Sequence, residues 1–348
     1  MLRSQLTIVT LLFPIGVLGC ASDSSSGSAT THGAEAGDAA LADVSTSVAS
    51  DATPSGAMGD DTASSTLPDG VAGTANDATA PATIDDSAVG DASGQAALPG
   101  WTLTWADEFN GSDGSPVDPS KWSHDVGGNG WGNAEREYYT DGAQNAVQQG
   151  GNLVITATTA GASQYKCSYG TCQYTSARLL TKMKFAQQYG RIESRIQIPF
   201  GQGLWPAFWM LGSNISTVPW PACGEIDIME NIGKEPSMVH GSLHMTGANF
   251  SGTFTLPNGG KFSDAFHTYA VEWDASAIRF YVDDQLYETR TPANVPNGGK
   301  WAFDQPFFIL LNVAVGGQWP GNPDTTTTFP QTMKVDWVRV YQRAAGGG

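Results

Sequence analysis

Basic side chains are scarce in this chain: 17 Lys and Arg stand against 34 Asp and Glu among 348 residues, for a formal net charge of −17. No basic patch or stripe is visible, which excludes the electrostatic footprint of a nucleic-acid binder. Cysteine is rarer still, with four residues and no Cys-x-x-Cys pair, so a zinc site of that spacing is excluded. No long stretch keeps a 3.6-residue apolar period, which argues against a helical bundle. Between residues 21 and 100 Trp, Tyr, Phe, Lys and Arg are all missing. No apolar period survives there, so that segment builds no core.

What is present divides the chain in three. Residues 1–20 open with Arg3, run mostly apolar from Leu6 to Leu18 and end in Val17-Leu18-Gly19-Cys20. The run is too short to span a bilayer and reads as an export signal. Its end resembles a bacterial lipobox, in which Cys20 becomes the lipidated first residue of the mature protein. An ordinary signal peptide with an incidental Cys is the other reading. Lipid at Cys20 tethers a protein to a membrane rather than making it span one. Residues 21–98 are Ala, Ser, Asp, Thr and Gly with scattered Pro, and twelve acids fall between residues 21 and 100. We read a disordered, self-repelling linker, either a reach-giving spacer or one of untuned length. The expected location is the bacterial envelope or surface, with release from it left open.

The folded domain is expected over 99–343. All eleven Trp lie at or beyond Trp101. From Arg191 to Ile198 the even positions are mostly apolar and the odd ones polar. Tyr269, Val271 and Trp273 alternate, as do Ile278, Phe280 and Val282. The run Phe307 to Val315 is nearly all apolar, as a strand buried on both faces would be. Turn signals such as Asp283-Asp284 and Pro257-Asn258-Gly259-Gly260 punctuate these runs. The pattern predicts an all-β, antiparallel sandwich, expected to act as a monomer. Cys167 and Cys172 are close enough to staple one loop, and export permits a disulfide. Cys223 is then single and reads as a buried structural thiol.

Three carboxylates fall within six residues in Gly224-Glu225-Ile226-Asp227-Ile228-Met229-Glu230. On a strand Glu225 and Asp227 share a face. Glu230 has the wrong parity and joins them only if a β-bulge at Ile228 or Met229 adds one residue. Glu225 and Glu230 then lie four strand steps apart, roughly 13 Å between Cα atoms. Side chains leaning inward bring the carboxyls to the roughly 5–5.5 Å of a retaining glycosidase. Three such groups cannot all ionise freely, and one becomes a proton donor. A solvated acidic face or a calcium cluster fits the same letters, although Ile226 and Ile228 imply a buried opposite side. Trp205, Trp209 and Trp220 precede the cluster. Indole stacks on the apolar face of a sugar, so a Trp row beside paired acids suits a polysaccharide cleft, while each Trp taken singly reads as core.

Together these residues resemble glycoside hydrolase family 16, laminarinase branch. The bulged Glu225–Glu230 motif carries the likeness with Trp205-Pro206-Ala207-Phe208-Trp209-Met210 and Trp220-Pro221-Ala222-Cys223-Gly224. Asp107 to Gly111, Gly130 to Glu135, Asn312 to Gly317 and Val335 to Tyr341 complete it, over residues 101–343. The resemblance implies a β-jelly-roll with a cleft on its concave sheet. It implies Glu225 as nucleophile, Glu230 as general acid/base and Asp227 as the orienting carboxylate. It places Asn133, Arg178, Trp205, Trp209, Trp220 and His244 against the sugar; read alone, Arg178 is a surface charge and His244 a core histidine. It also implies a structural calcium on the convex side at Glu108, Gly151 and Asp336, with backbone carbonyls from the first two. Read alone, Asp336 is a strand-edge carboxylate. No catalytic cofactor is implied. The expected activity is endo-hydrolysis of β-1,3-glucan with retention. Alternatives are a mixed-linkage β-1,3-1,4-glucanase, another family 16 hydrolase or transglycosylase, and a non-catalytic β-glucan-binding module.

Overall fold

The computed structural model describes residues 98–344. The export signal, Cys20 and nearly all of the linker lie outside the described residues. Within them the chain forms strands β1 (Trp101–Asp107), β2 (Ser123–Asp125), β3 (Glu137–Tyr139), β4 (Ala146–Gln149), β5 (Asn152–Ala157), β6 (Lys166–Cys167), β7 (Gly170–Thr171), β8 (Tyr174–Ser176) and β9 (Arg178–Leu180). There follow β10 (Gly190–Gln197), β11 (Leu204–Gly212), β12 (Glu225–Glu230), β13 (Met238–Met245) and β14 (Ala248–Thr255). The last five are β15 (His267–Trp273), β16 (Ile278–Val282), β17 (Gln285–Arg290), β18 (Phe307–Val315) and β19 (Gln331–Arg343). No helix among the described residues is long and apolar enough to cross a membrane.

Two antiparallel sheets account for most of these. One runs β14-β13-β12-β11-β18-β9-β2. The other runs β17-β16-β15-β10-β19-β5-β4, with β1 also paired to β19 so that Trp101 stands opposite Arg343. Period-two alternation builds the core between the sheets. Leu204, Phe208 and Met210 of β11 and Ile309, Leu311 and Val313 of β18 face Ile192 and Ile196 of β10 and Val338 and Val340 of β19 in one buried cluster. The opposite faces of β11 and β18 hold a second, smaller cluster with Ala207, Trp209, Leu211 and Leu310. That is why Phe307–Val315 reads as one apolar run: β18 is buried on both sides. The expected sandwich is therefore the observed fold.

The alternation in β10 has an exception. Arg191 and Glu193 are buried although they sit at outward positions. Arg191 bonds Glu193 at 2.7 Å and also pairs with Glu272 of β15 and Asp284. A shielded ion network replaces water on that face. Cys167 and Cys172 form a disulfide across the β6–β7 hairpin, and Cys223 is free and buried.

Candidate active site

The outward face of the first sheet carries a cleft of about 510 Å³. Its floor follows from strand parity. On β11 the core takes Leu204, Phe208 and Met210, so Trp205, Ala207 and Trp209 face the cleft. On β13 the core takes Val239 and Leu243, leaving His240, Ser242 and His244 outside. β12 breaks its own alternation. Trp209 is opposite Asp227, but Phe208 is opposite Met229. On the other side Asp227 is opposite Ser242 and Glu230 opposite His240. One extra residue, Ile228, is accommodated between two ordinary ladders, which is a β-bulge. Ile226, Ile228 and Met229 all enter the core, and Glu225, Asp227 and Glu230 all line the cleft. Gly224 leads into the strand at φ +82°, where a Cβ would meet Phe307 Cζ at 2.9 Å.

The three carboxylates are buried and differ in their partners. Glu230 Oε1 accepts a hydrogen bond from Trp205 Nε1 at 3.1 Å. Asp227 Oδ2 lies 3.2 Å from His244 Nε2, and Glu225 Oε1 lies 3.9 Å from the same nitrogen. One donor atom from each of Glu225, Asp227 and His244 falls within 4.8 Å of the others. Asp227 thus holds the imidazole within hydrogen-bond reach, and Glu225 stands at ion-pair distance from the same nitrogen. His244 Nδ1 meets Asn249 Oδ1 at 3.2 Å. With Nδ1 donating there, Nε2 is aimed at the carboxylates.

Electrostatics separates the two glutamates. Burial first, then the Asp227 charge, push Glu225 up to about 8; His244 and Arg178 pull against that shift. The same two causes hold Glu230 well above its ordinary value, with His244 the cation that opposes them. Burial alone would lower His244, but its bond to Asp227 and the surrounding carboxylates push it up to about 10. The cluster therefore holds an imidazolium, and Glu230 is the carboxyl most disposed to keep its proton. Burial, then the Glu225 charge, push the Cys223 thiol up to about 11, so it is no nucleophile at neutral pH.

The structure brings all six expected sugar-contact residues to this cleft: Asn133, Arg178, Trp205, Trp209, Trp220 and His244 line it. Arg178 is no surface charge. It is buried on β9, its guanidinium 4.8 Å from the Trp209 ring and 5.0 Å from the Trp131 ring, with Nε 3.1 Å from Asp125. Trp220 lies 6.1 Å from His244. Sequence reasoning assigned no role to Glu135, Tyr139, Asn312 or Trp319, which also line the cleft. Glu135 and Asn312 lie inside motifs already singled out. Trp319 follows β18 in a loop and gives no periodic signal; its indole packs edge-on against Trp205 and His240.

The residues expected for calcium belong to the other sheet. Glu108 directly follows β1, Gly151 lies between β4 and β5, and Asp336 is on β19, which pairs with both β1 and β5. Oxygen donors suit calcium. The Asp336 carboxylate is bound to Arg195 at 2.6 Å, and Glu108 makes two bonds to Arg339 at 3.0 and 2.8 Å. An ion drawing on Asp336 has to compete with Arg195.

Comparison with known proteins fits this geometry. The family model "Glycosyl hydrolases family 16" matches residues 133–339. A β-glucanase of Rhodothermus marinus is 42% identical over 258 residues, which cover 70% of this chain and 86% of that protein. Glucan endo-1,3-beta-glucosidase A1 of Niallia circulans is 38% identical over 269 residues, 71% of this chain but only 38% of that longer protein. The laminarinase catalytic domain of Thermotoga maritima MSB8 superposes with a TM-score of 0.65 at 46% identity, over 70% of this chain and 99% of that one.

Proposed function

Because the chain belongs to glycosyl hydrolases family 16, we propose that it is an endo-acting hydrolase of β-1,3-glucan that retains anomeric configuration. The observation that carries this reading is the bulge at Ile228, which turns Glu230 into the same Trp-lined cleft as Glu225. Glu230 is the general acid. Trp205 N–H occupies one of its oxygens, which leaves the other to carry the proton toward the glycosidic oxygen. Glu225 attacks the anomeric carbon from the opposite side and forms a glycosyl-enzyme as the leaving sugar takes the proton. The Glu230 carboxylate then removes a proton from water, and that water releases the sugar from Glu225. Two displacements at one carbon give retention. Asp227 keeps the His244 imidazolium beside Glu225, where its positive charge favours the ionised nucleophile.

Product analysis by NMR on laminarin reports linkage, anomeric configuration and mode of attack together. The β-anomer should form first, in oligosaccharides of mixed length. Parallel reducing-sugar assays on lichenan and agarose should give lower rates; a preference for either moves the protein to another substrate within the family. Glu225→Gln should lose hydrolysis by at least about 10³-fold while glucan binding persists. Unchanged hydrolysis would remove Glu225 from its role.

We also propose a structural calcium at Asp336 with the backbone carbonyls of Glu108 and Gly151. Oxygen chemistry and the convergence of β1, β5 and β19 support it. Millimolar calcium should raise the melting temperature and a chelator should lower it, with Asp336→Asn blunting both. A melting temperature indifferent to calcium and chelator rejects the site.

A further inference from the structure

Asn133 reaches the cleft from a segment of unusual backbone. Gly130, Trp131, Gly132 and Ala134 have φ of 86°, 47°, 85° and 57°. Trp131 and Ala134 carry side chains that disfavour this region, so the surrounding structure must hold the loop in place. Backbone bonds supply part of the hold: Asn133 N and Glu135 N both donate to Gly130 O, and Gln318 N donates to Asn133 O. The side chains supply the rest, and they converge on one buried carboxylate. Asn133 Nδ2 donates to Glu135 Oε1 at 3.3 Å. Tyr139 Oη donates to Glu135 Oε2 at 3.2 Å. Tyr139 Oη accepts in turn from Asn312 Nδ2 at 3.2 Å, and Asn312 Oδ1 accepts from Trp209 Nε1 at 2.7 Å. Every donor in this chain points toward Glu135, so its terminus has to be an acceptor with two free oxygens.

Behind Glu135 sits Glu137, fully buried on β3. Its Oε2 accepts from Val315 N at 2.6 Å, while its Oε1 has no hydrogen-bond donor. Two adjoining buried carboxyls disfavour a double negative charge, and one of them keeps a proton. One proton on Glu137, in the side-chain bond between the two residues, satisfies both. Burial, then the Glu135 charge, hold Glu137 well above its ordinary value; burial raises Glu135 too, and the Glu137 bond and Arg178 pull against that rise. The other titratable groups facing the pair are Arg178 from β9, Tyr139 on β3, and Arg136 and Tyr169, which stack on each other at 4.2 Å. β18 contributes only the neutral Asn312 and the Val315 N–H.

We propose that Glu135, backed by the Glu137 carboxylic acid, is a positioning residue for glucan binding that fixes Asn133 and Trp209 against the sugar. The inference rests on the reading of this cleft as a β-glucan site. Asn133 and Trp209 grip the sugar in ground state and transition state alike, so the effect falls on KM more than on kcat.

The test is laminarin hydrolysis across pH, with laminari-oligosaccharide affinity from Trp fluorescence, for wild type, Glu135→Gln and Glu137→Gln. Glu135→Gln should raise KM about tenfold, the loss of bonds to a charged acceptor, with a smaller change in kcat. In wild type KM should rise at alkaline pH as the Glu137 proton is lost. Glu137→Gln, whose amide N–H cannot ionise, should shrink that rise to the part that loss of the His244 charge supplies. An unchanged KM in a folded Glu135→Gln, or an alkaline rise as large in Glu137→Gln as in wild type, overturns the inference. Should Glu135→Gln fail to fold, the Glu137→Gln profile decides alone. Wild type that neither binds nor cleaves laminarin overturns the functional reading and this inference with it. Normal wild-type hydrolysis with either contrary variant overturns the inference only.

Discussion

Glu225 and Glu230 are chemically identical side chains five positions apart, and their neighbours divide the work between them. Glu225 has His244, Arg178 and the Trp220 indole to stabilise its charge, whereas Glu230 has the same imidazolium and the Trp205 indole. Asp227 raises both. Asp227→Asn therefore removes a negative charge, and the pKa of each glutamate should fall by about one unit or more. In the proposed mechanism the alkaline limb of kcat, measured at saturating glucan, reports loss of the Glu230 proton, so it should move to lower pH in this variant. A limb that stays in place would mean that another group sets it. The same residue scale marks the limit of sequence reading. The acid triplet and its flanking Trp were legible because they are local. The Asn312–Tyr139 bond joins residues 173 apart, and nothing in the sequence says that β3 will stand beside β18. Arg178 looked like a surface charge for the same reason: the rings that enclose it come from distant segments.

At the level of the element, β12 shows how much parity alone can tell. Glu230 was out of phase with Glu225 in the sequence, and an added residue was the only way to align them. The structure places that residue at Ile228, with unbroken registers on either side. Deleting Ile228 should therefore leave Phe208 opposite Met229 and Trp209 opposite Asp227 in a continuous ladder. The three carboxylates would keep alternate positions and the cleft-facing side, so the deletion should retain measurable reducing-sugar release at a lower rate. Complete inactivity in a folded deletion variant would show that the local bend, and not just the facing, is required. The β10 exception runs the other way. Arg191 and Glu193 read correctly as outward residues, but their burial depends on Glu272 and Asp284 arriving from β15 and the turn after β16.

For the whole molecule, buried carboxyls tie stability to pH. Glu135, Glu137, Glu225 and Glu230 are all raised above their ordinary 4.5 by burial first. The folded state thus binds more protons than the unfolded chain over the interval above 4.5. Their contribution is complete below that value and is lost as pH rises through the folded values, about 8 for Glu225. His244, raised to about 10, acts in the same direction. Asp274, lowered to about 2 by its bonds to Ser276 and Arg279 despite the opposing effect of burial, adds stability that is complete above its ordinary 3.8 and is lost as pH falls toward 2, outside this interval. The melting temperature should decline from about pH 5 toward about pH 10, and Glu225→Gln should flatten part of that decline. A melting temperature that climbs over this range would contradict the assigned shifts. The two-layer architecture itself was the most legible feature, because alternation and one doubly buried run are enough to specify it.

Trp101 stands opposite Arg343, in the sheet that does not carry the cleft. The two borders of the fold are therefore next-door neighbours on the rear of the enzyme. A dye, a bead or a second catalyst grafted at either border would ride behind the groove, and a long glucan could thread across the front without meeting it.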